Sequence, residues 1–438
     1  MSGLKRLLIV VACIVLLAVS WLVAVSAKSD VQKQSELVEQ ALALIDDEIY
    51  IRAYPLLEEA IGFNTDETYN AENILKSVYI KLFDQSGFRR RYIELLEKQL
   101  RRSDALPEVF LEAANFHIDN RRLPDALSVL KDGIDRTGDA QLISLYEQER
   151  YAFRVNRTNF DEIMTGFNST YQVMVDGLWG LARIDGSLAV PCSFDKISTY
   201  SMERAVAMID GEVIAVDRSG NRILKLHENA TDIGNFANNR VTLLIDGRWH
   251  RATSEFALGA ATFEMIGMHS EGNAPARENG RWGVVNLDSE WVIPAEHDEV
   301  IMDELGRAYG QGSAFVRNGN SVTLIVNGSA VGEAFEDARP FNDENFAAVK
   351  KNGLWGFIDI SGEVVIDYQF EDALSYGQHL AAVRVDGLWG YICINGNLVI
   401  EPQFIEAKSF SGGSAPVLAD GGWRIISLIE FTSGGGLF

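Results

Sequence analysis

The residue types best able to do chemistry in this sequence are six histidines, three cysteines and one dense run of acids. The histidines are His117, His227, His250, His269, His297 and His379. None stands in an HExxH or HxH spacing, so no facing pair of zinc ligands is written in the chain. No GxSxG, phosphate-loop or GxGxxG segment sits between a strand and a helix, where such turns expose a nucleophile or cradle phosphate. Asp298, Glu299, Asp303 and Glu304 have the types for a hydrolytic carboxylate pair. Acids recur at nearby places in the other repeat units described below, so the plainer reading is a solvated loop face. The calcium-loop spacing of alternating Asp or Asn with a Gly is absent. Cys13 lies in an apolar run, and Cys192 and Cys393 are isolated, with no CxxC. A disulfide between Cys192 and Cys393 is open to a chain outside the cytoplasm, but buried free thiols are the commoner fate of scattered cysteines. No catalytic residue, cofactor or metal site is therefore expected, and the chain reads as something other than an enzyme.

What would position any functional side chain is a repeat. An Asn-Gly or Asp-Gly dipeptide recurs eight times, beginning at Asp176, Asp210, Asp246, Asn279, Asn318, Asn352, Asp386 and Asp420. The steps between them are 34, 36, 33, 39, 34, 34 and 34 residues. Such dipeptides supply the positive φ of a two-residue hairpin turn. Apolar and β-branched residues flank them, as in 381–385 and 388–392. A second turn follows nine residues after the first glycine, at Gly186, Gly220, Gly328, Gly362 and Gly396. Ser289 takes that place in the fourth unit, and the third stretches its offset to Gly259. Another short strand comes next, then an aromatic with acids, as in 370–373 and 404–407. A period of 20–50 residues with strand signals means a solenoid, a propeller or an array.

Two residues past the turn glycine stands a Trp-Gly pair: Trp179 with Gly180, Trp282 with Gly283, Trp355 with Gly356, and Trp389 with Gly390. Trp249 and Trp423 hold the place without the glycine, while Val213, and Val322 or Ser321, fill it in degenerate units. One large aromatic at a fixed strand position is a core device that can bury about 150–250 Å². The following glycine lets another backbone or ring lie close. A row of exposed rings stacking on a ligand is the alternative. The pattern resembles the WG-repeat family, above all in residues 352–366, and the resemblance covers about 165–431. It implies a β-repeat architecture without shared catalytic residues. A start in mid-unit at 171–175 and an end at 423–428 is what a closing strand exchange would leave, and closure removes exposed edges. A β-propeller-like ring of about eight units is expected, with an open β-solenoid as the alternative.

Ahead of the repeats, residues 28–160 read as helical, with apolar residues at three- and four-residue spacings. Ala113, Ala114, His117, Leu123, Ala126, Leu130, Gly133 and Ile134 resemble a tetratricopeptide repeat, where small residues let paired helices approach. Ala53 and Ala60 show the same seven-residue spacing as Ala126 and Gly133. The resemblance implies a surface for protein–protein contact. Lys5 and Arg6 precede an uncharged apolar run at 7–27, long enough to span a bilayer. Residues 1–6 would stay cytoplasmic and the bulk of the chain would be exported. Cleavage after Ala27, giving a soluble periplasmic protein, and a lipobox at Cys13 are the alternatives. Residues 432–438 read as a flexible tail.

The chain is therefore expected to be multidomain: an amino-terminal transmembrane helix, an all-α tetratricopeptide-like region, then an all-β WG-repeat domain. A formal net charge of -23 in 438 residues repels phosphate backbones, so nucleic acid is not an expected partner. The expected role is a scaffold anchored in the bacterial inner membrane, single pass, binding another envelope protein or a cell-wall ligand. The alternative from another class is an envelope glycan hydrolase using acids of the repeat loops.

Overall fold

The structure, a computed structural model, describes residues 2–342 and 344–431. The tail expected at 432–438 lies outside the described residues. The chain divides into two compact units between Tyr146 and Glu147.

The first unit is helical. Helix α1 (Ser2–Asp46) contains the apolar run at 7–27. Side chains of residues 2–13 and 22–29 lie outside the described residues, and among the described residues no helix is long and apolar enough to cross a membrane. There follow α2 (Tyr50–Ile61), α3 (Thr68–Lys81), α4 (Phe88–Leu100), α5 (Pro107–Asp119), α6 (Leu123–Thr137) and α7 (Ala140–Glu149). Consecutive helices from α1 to α6 pack on one another. The small residues mark the close approaches: Ala53, Ala60 and Ala126 are fully buried. A Cβ on Gly133 would stand 2.7 Å from the Phe110 ring and 2.9 Å from Leu142. Several buried polar groups in this core are paired. The fully buried Glu72 accepts from Lys98 at 2.9 Å and from Gln99 at 3.1 Å. The Tyr92 hydroxyl donates to Glu112 at 2.9 Å.

Strands begin at Phe153, ahead of the helix-to-strand boundary expected near 160–165. Strand β1 (Phe153–Val155) is only three residues long and carries no alternation that a sequence could display. Its pairing partner is what makes it a strand. Strands β2 (Glu162–Ile163), β3 (Thr170–Val175), β4 (Leu178–Arg183) and β5 (Leu188–Phe194) form one antiparallel sheet in that order. Six further four-stranded sheets repeat the plan at 196–225, 230–263, 265–297, 299–335, 337–370 and 372–404. The eighth takes three strands from 406–428 and its fourth from β1, which runs antiparallel to Gly422–Leu428 with Arg154 opposite Ser427. The β region is an eight-bladed propeller, not an open solenoid. Tyr171, expected near the last unit, does reach it: its hydroxyl lies 2.7 Å from the Ser414 hydroxyl. The closing strand, however, is β1, upstream of the expected domain start.

The turns follow the dipeptides in seven blades; in the fifth, Asn318 pairs with Ser321 and the turn slips by one residue to Gly319–Asn320. Asp176 and Gly177 have φ of 53° and 78°, the doubly left-handed pair of a tight hairpin. In the third blade the second turn keeps its nine-residue offset, because Phe256 takes the left-handed position with φ 64°. The stretched offset to Gly259 is thus corrected: that glycine lies inside the strand Leu258–Phe263. Apolar side chains pack between neighbouring blades. Leu181, Val190 and Phe194 of the first blade, for example, meet Ile197, Ala205, Ala207 and Ile214 of the second. The core is therefore a succession of layers around the ring.

Candidate functional site

Each tryptophan of the repeat occupies one register row. In the first blade Glu162, Met174, Trp179 and Phe194 stand opposite one another across the four strands. In the fourth, Met265, Arg277, Trp282 and His297 do the same. Trp355 is 3% exposed and Trp249, Trp389 and Trp423 are 8% exposed, whereas Trp179 and Trp282 are half-buried. Val213 and Val322 stand at this register place and are buried, and Ser321 does not.

The glycine after the tryptophan answers to backbone. The last strand of each such blade bulges where it passes, as between Trp179 and Leu181. A Cβ on Gly180 would stand 2.6 Å from the Val190 carbonyl oxygen, and one on Gly356 2.7 Å from that of Ile366. Gly283 and Gly390 face the Ile293 and Ile400 carbonyls in the same way. The two blades that have the tryptophan but not the glycine avoid the crossing. In the third, His250 pairs directly with Thr262 and the bulge moves beyond it. In the eighth the outer strand is the short β1, which shows no bulge.

The recurring acids also have a local task. Asp161 and Asp195 accept from the backbone N–H of Asp176 at 2.7 Å and of Asp210 at 3.0 Å. Glu264, Asp298, Glu336 and Glu371 accept in the same way from Gly280, Gly319, Gly353 and Gly387, at 2.8–3.1 Å. Each acid fastens the tight turn of its own blade. The Gly319 N–H and the Arg281 guanidinium hold the Asp298 carboxyl below its ordinary range. Within the acidic run, Glu299 pairs with Arg317 at 2.7 Å, Asp303 with Arg307 at 2.7 Å, and Glu304 with Lys408. Each acid thus has its own partner. Among the described residues no three His, Cys, Asp or Glu side chains converge on a metal position. Cys192 and Cys393 are free thiols in different blades, so the disulfide option is not taken.

The 39-residue step has a consequence at the centre of the ring. Twelve residues separate the first two strands of the fifth blade, against six or seven in the others. The insert folds as a turn: the Asp303 carboxylate accepts from the N–H of Leu305 at 3.0 Å and of Arg307 at 2.8 Å. Asp217 does the same for Ser219 and Asn221 at 2.8 and 2.9 Å in an ordinary outer turn of the second blade. The tip of the insert crosses the opening. Glu304 accepts from the Thr165 N–H in the first blade and from Lys408 in the eighth. The Leu305 carbonyl accepts from Asn235 in the third at 2.9 Å, and the Gly306 carbonyl from the Met268 N–H in the fourth at 2.8 Å. Leu305 is buried against Met164, Phe167, Ala237 and Met268.

Two cavities remain on either side of this bridge. The larger, about 650 Å³, is bounded by the first five blades. Its walls include Met164, Met265, Met268 and Met302 together with Trp179, Trp249 and Trp282. Its carboxylates are Glu162, Asp195, Asp232 and Glu304, and its one lysine, Lys196, lies 2.7 Å from Asp232. The smaller, about 590 Å³, is richer in cations: Arg307, Arg339, Arg384 and Lys408. The sequence singles out the tryptophans and Glu304 but not the methionines, which come from three blades, Met265 and Met268 sharing the fourth, and follow no common spacing. The 39-residue step was the signal for the bridge.

A WG-containing repeat model matches this chain at residues 334–355, 355–389 and 389–423. Among curated proteins none matches. Similar solved structures include Hsv2p of Kluyveromyces lactis, at 8% identity and a TM-score of 0.37 over 53% of this chain and 92% of that one. The Cps50 (Swd1) β-propeller domain of Myceliophteria thermophila shows 10% identity and a TM-score of 0.34 over 63% and 98%. The Pan2 WD40 domain of Neurospora crassa shows 10% identity and a TM-score of 0.33 over 63% and 91%. None of these likenesses bears on a ligand or partner. Residues 334–423, with Trp355, Trp389 and Trp423, are WG-containing repeats.

Proposed function

We propose that this protein is a binding scaffold, anchored at the bacterial inner membrane through residues 7–27, with the bulk of the chain in the periplasm. Its partner docks at the ring opening and is another envelope protein. The observation that carries this reading is the larger cavity: apolar walls with a few convergent polar groups, held by a closed ring and a packed bridge. Concave sites of this kind are where ligands are bound. Methionine walls adapt to a partner's side chains and tryptophan supplies large contact area. The helical unit, read as tetratricopeptide-like, would offer a second surface. Lys5 and Arg6 ahead of the apolar run support the proposed orientation. The hydrolase alternative needs a carboxylate pair free to act, and the acids of the fifth blade are each engaged with separate partners.

Site-specific photo-crosslinking in intact membranes tests the reading. A photoreactive residue replaces Met265, an exposed wall of the larger cavity, or Ser219, an exposed outer turn of the second blade. A discrete protein adduct is expected from Met265 and not from Ser219. Equal adducts from both positions would overturn the docking site. Glycan release by the purified protein, lost on Glu304→Gln, would replace the scaffold with a hydrolase.

A further inference from the structure

We propose that the larger cavity is a seat for an arginine side chain on an extended segment of the partner protein, taken over Trp282 with apolar neighbours on the methionines. This rests on the binding-scaffold reading. The molecule supplies its own template for the seat. One position directly follows the first short strand of each blade, its N–H bonded to the second strand. In the sixth blade it is Arg339 and in the eighth Lys408. The Arg339 guanidinium lies 4.6 Å from the centre of the Trp355 ring and 3.5 Å from Asp372 of the next blade. The Lys408 ammonium lies 5.3 Å from the Trp423 ring. A cation at such distances from an indole is attracted by its face.

In the third and fourth blades the same position is Gly234 and Gly267, whose N–H groups bond to Thr242 and Pro275. These positions carry no side chain of their own: the Thr242 hydroxyl packs on Gly234, and the Pro275 ring and Gly306 carbonyl pack on Gly267. Among the described residues no cation stands over Trp282 as Arg339 stands over Trp355. Gly267 and the half-buried Trp282 both line the larger cavity.

Charge and hydrogen bonding select the occupant. Glu162, Asp195 and Asp232 border the cavity, and Lys196 offsets only Asp232. The Gln172 side-chain amide oxygen and the Thr242 hydroxyl, on residues that line the same cavity, are buried and have no hydrogen-bond partner. The carboxylates of the cavity accept hydrogen bonds, so a donor-rich cation is favoured. A guanidinium offers five donors in one plane and stacks on indole, which an ammonium cannot match. Met265 and Met302, at the cavity wall, suit the aliphatic residues beside such an arginine.

The test uses the full-length protein with methyl-labelled methionine, observed by NMR during titration with acetylated, amidated Leu-Arg-Leu. Saturable shifts are expected at Met164, Met265, Met268 and Met302. The citrulline analogue should bind about tenfold more weakly or worse, as loss of one cation over an indole with its charge pairing implies. Met265→Lys should abolish the shifts at the other three methionines. Ile405→Lys, at an exposed position of the smaller cavity, should leave them unchanged. Equal binding of the citrulline peptide, equal loss in Ile405→Lys, or no saturable shift at millimolar peptide would each overturn the arginine seat. If the peptide fails while the Met265 photo-adduct forms, the scaffold reading stands without this seat. If both fail, both are lost.

Discussion

The Glu304 carboxylate, in the fifth blade, accepts a hydrogen bond from the backbone N–H of Thr165 in the first blade, on the opposite side of the ring. The insert that carries it is therefore a strut as well as a wall. Leu305, buried at its tip, should cost roughly 2–4 kcal/mol on change to alanine, the usual range for a core leucine. Glu304→Ala should cost less, about 1 kcal/mol, because its pairing with Lys408 is partly solvated. Urea unfolding of the full chain measures both. Wild-type stability in Leu305→Ala would mean that the bridge is not packed.

The tryptophan row is next. Trp355→Ala should destabilise the ring by about 3–5 kcal/mol, the range for a buried large aromatic. Val322→Ala, at the same register place in the fifth blade, should cost on the order of 1–3 kcal/mol. Gly356→Ala should cost about 1–3 kcal/mol through overpacking against the Ile366 carbonyl and Tyr368. An unchanged melting transition in Trp355→Ala, with binding abolished, would make that ring a ligand platform and not core.

His269 gives a pH dependence. It is 2% exposed, and burial, with Arg251 and Arg240 nearby, pushes its pKa down to about 3. The unfolded chain titrates it near ~6.5. Between these values the unfolded form binds a proton that the folded form refuses, so stability falls as pH is lowered through this window and levels off below it. From pH 7 to pH 5 the wild type should lose about 2 kcal/mol more than His269→Gln. Parallel losses in the two proteins would show that His269 protonates freely in the fold.

The repeat was legible because its signals are local. Asp-Gly and Asn-Gly mark the hairpin turn in seven blades, the fifth slipping by one residue, and Trp355 with Gly356 marks one strand position. Other features depend on partners distant in the chain. Strand β1 exists because Arg154 meets Ser427, and nothing in residues 153–155 announces it. Gln378 and His379 form a left-handed turn, with φ of 52° and 64°, without glycine to flag it. The cavity methionines lie in three different blades and converge only through ring closure. The acids at 298–304 were visible, but their tasks as turn fastener, ion-pair partner and strut appear only with Gly319, Arg317 and Thr165 in place.

Everything proposed for the opening requires the ring to be closed by β1, and one crosslink tests that claim most directly. Arg154→Cys and Ser427→Cys are placed together in a chain with Cys13, Cys192 and Cys393 changed to serine. Residues opposed in antiparallel strands have Cα atoms about 4.5–5.5 Å apart, within reach of a disulfide. Mild oxidation of the folded full-length protein should join positions 154 and 427 and raise the urea midpoint, because the bond ties β1 to the last blade. Two thiols that both react with maleimide and never join would contradict the closed ring.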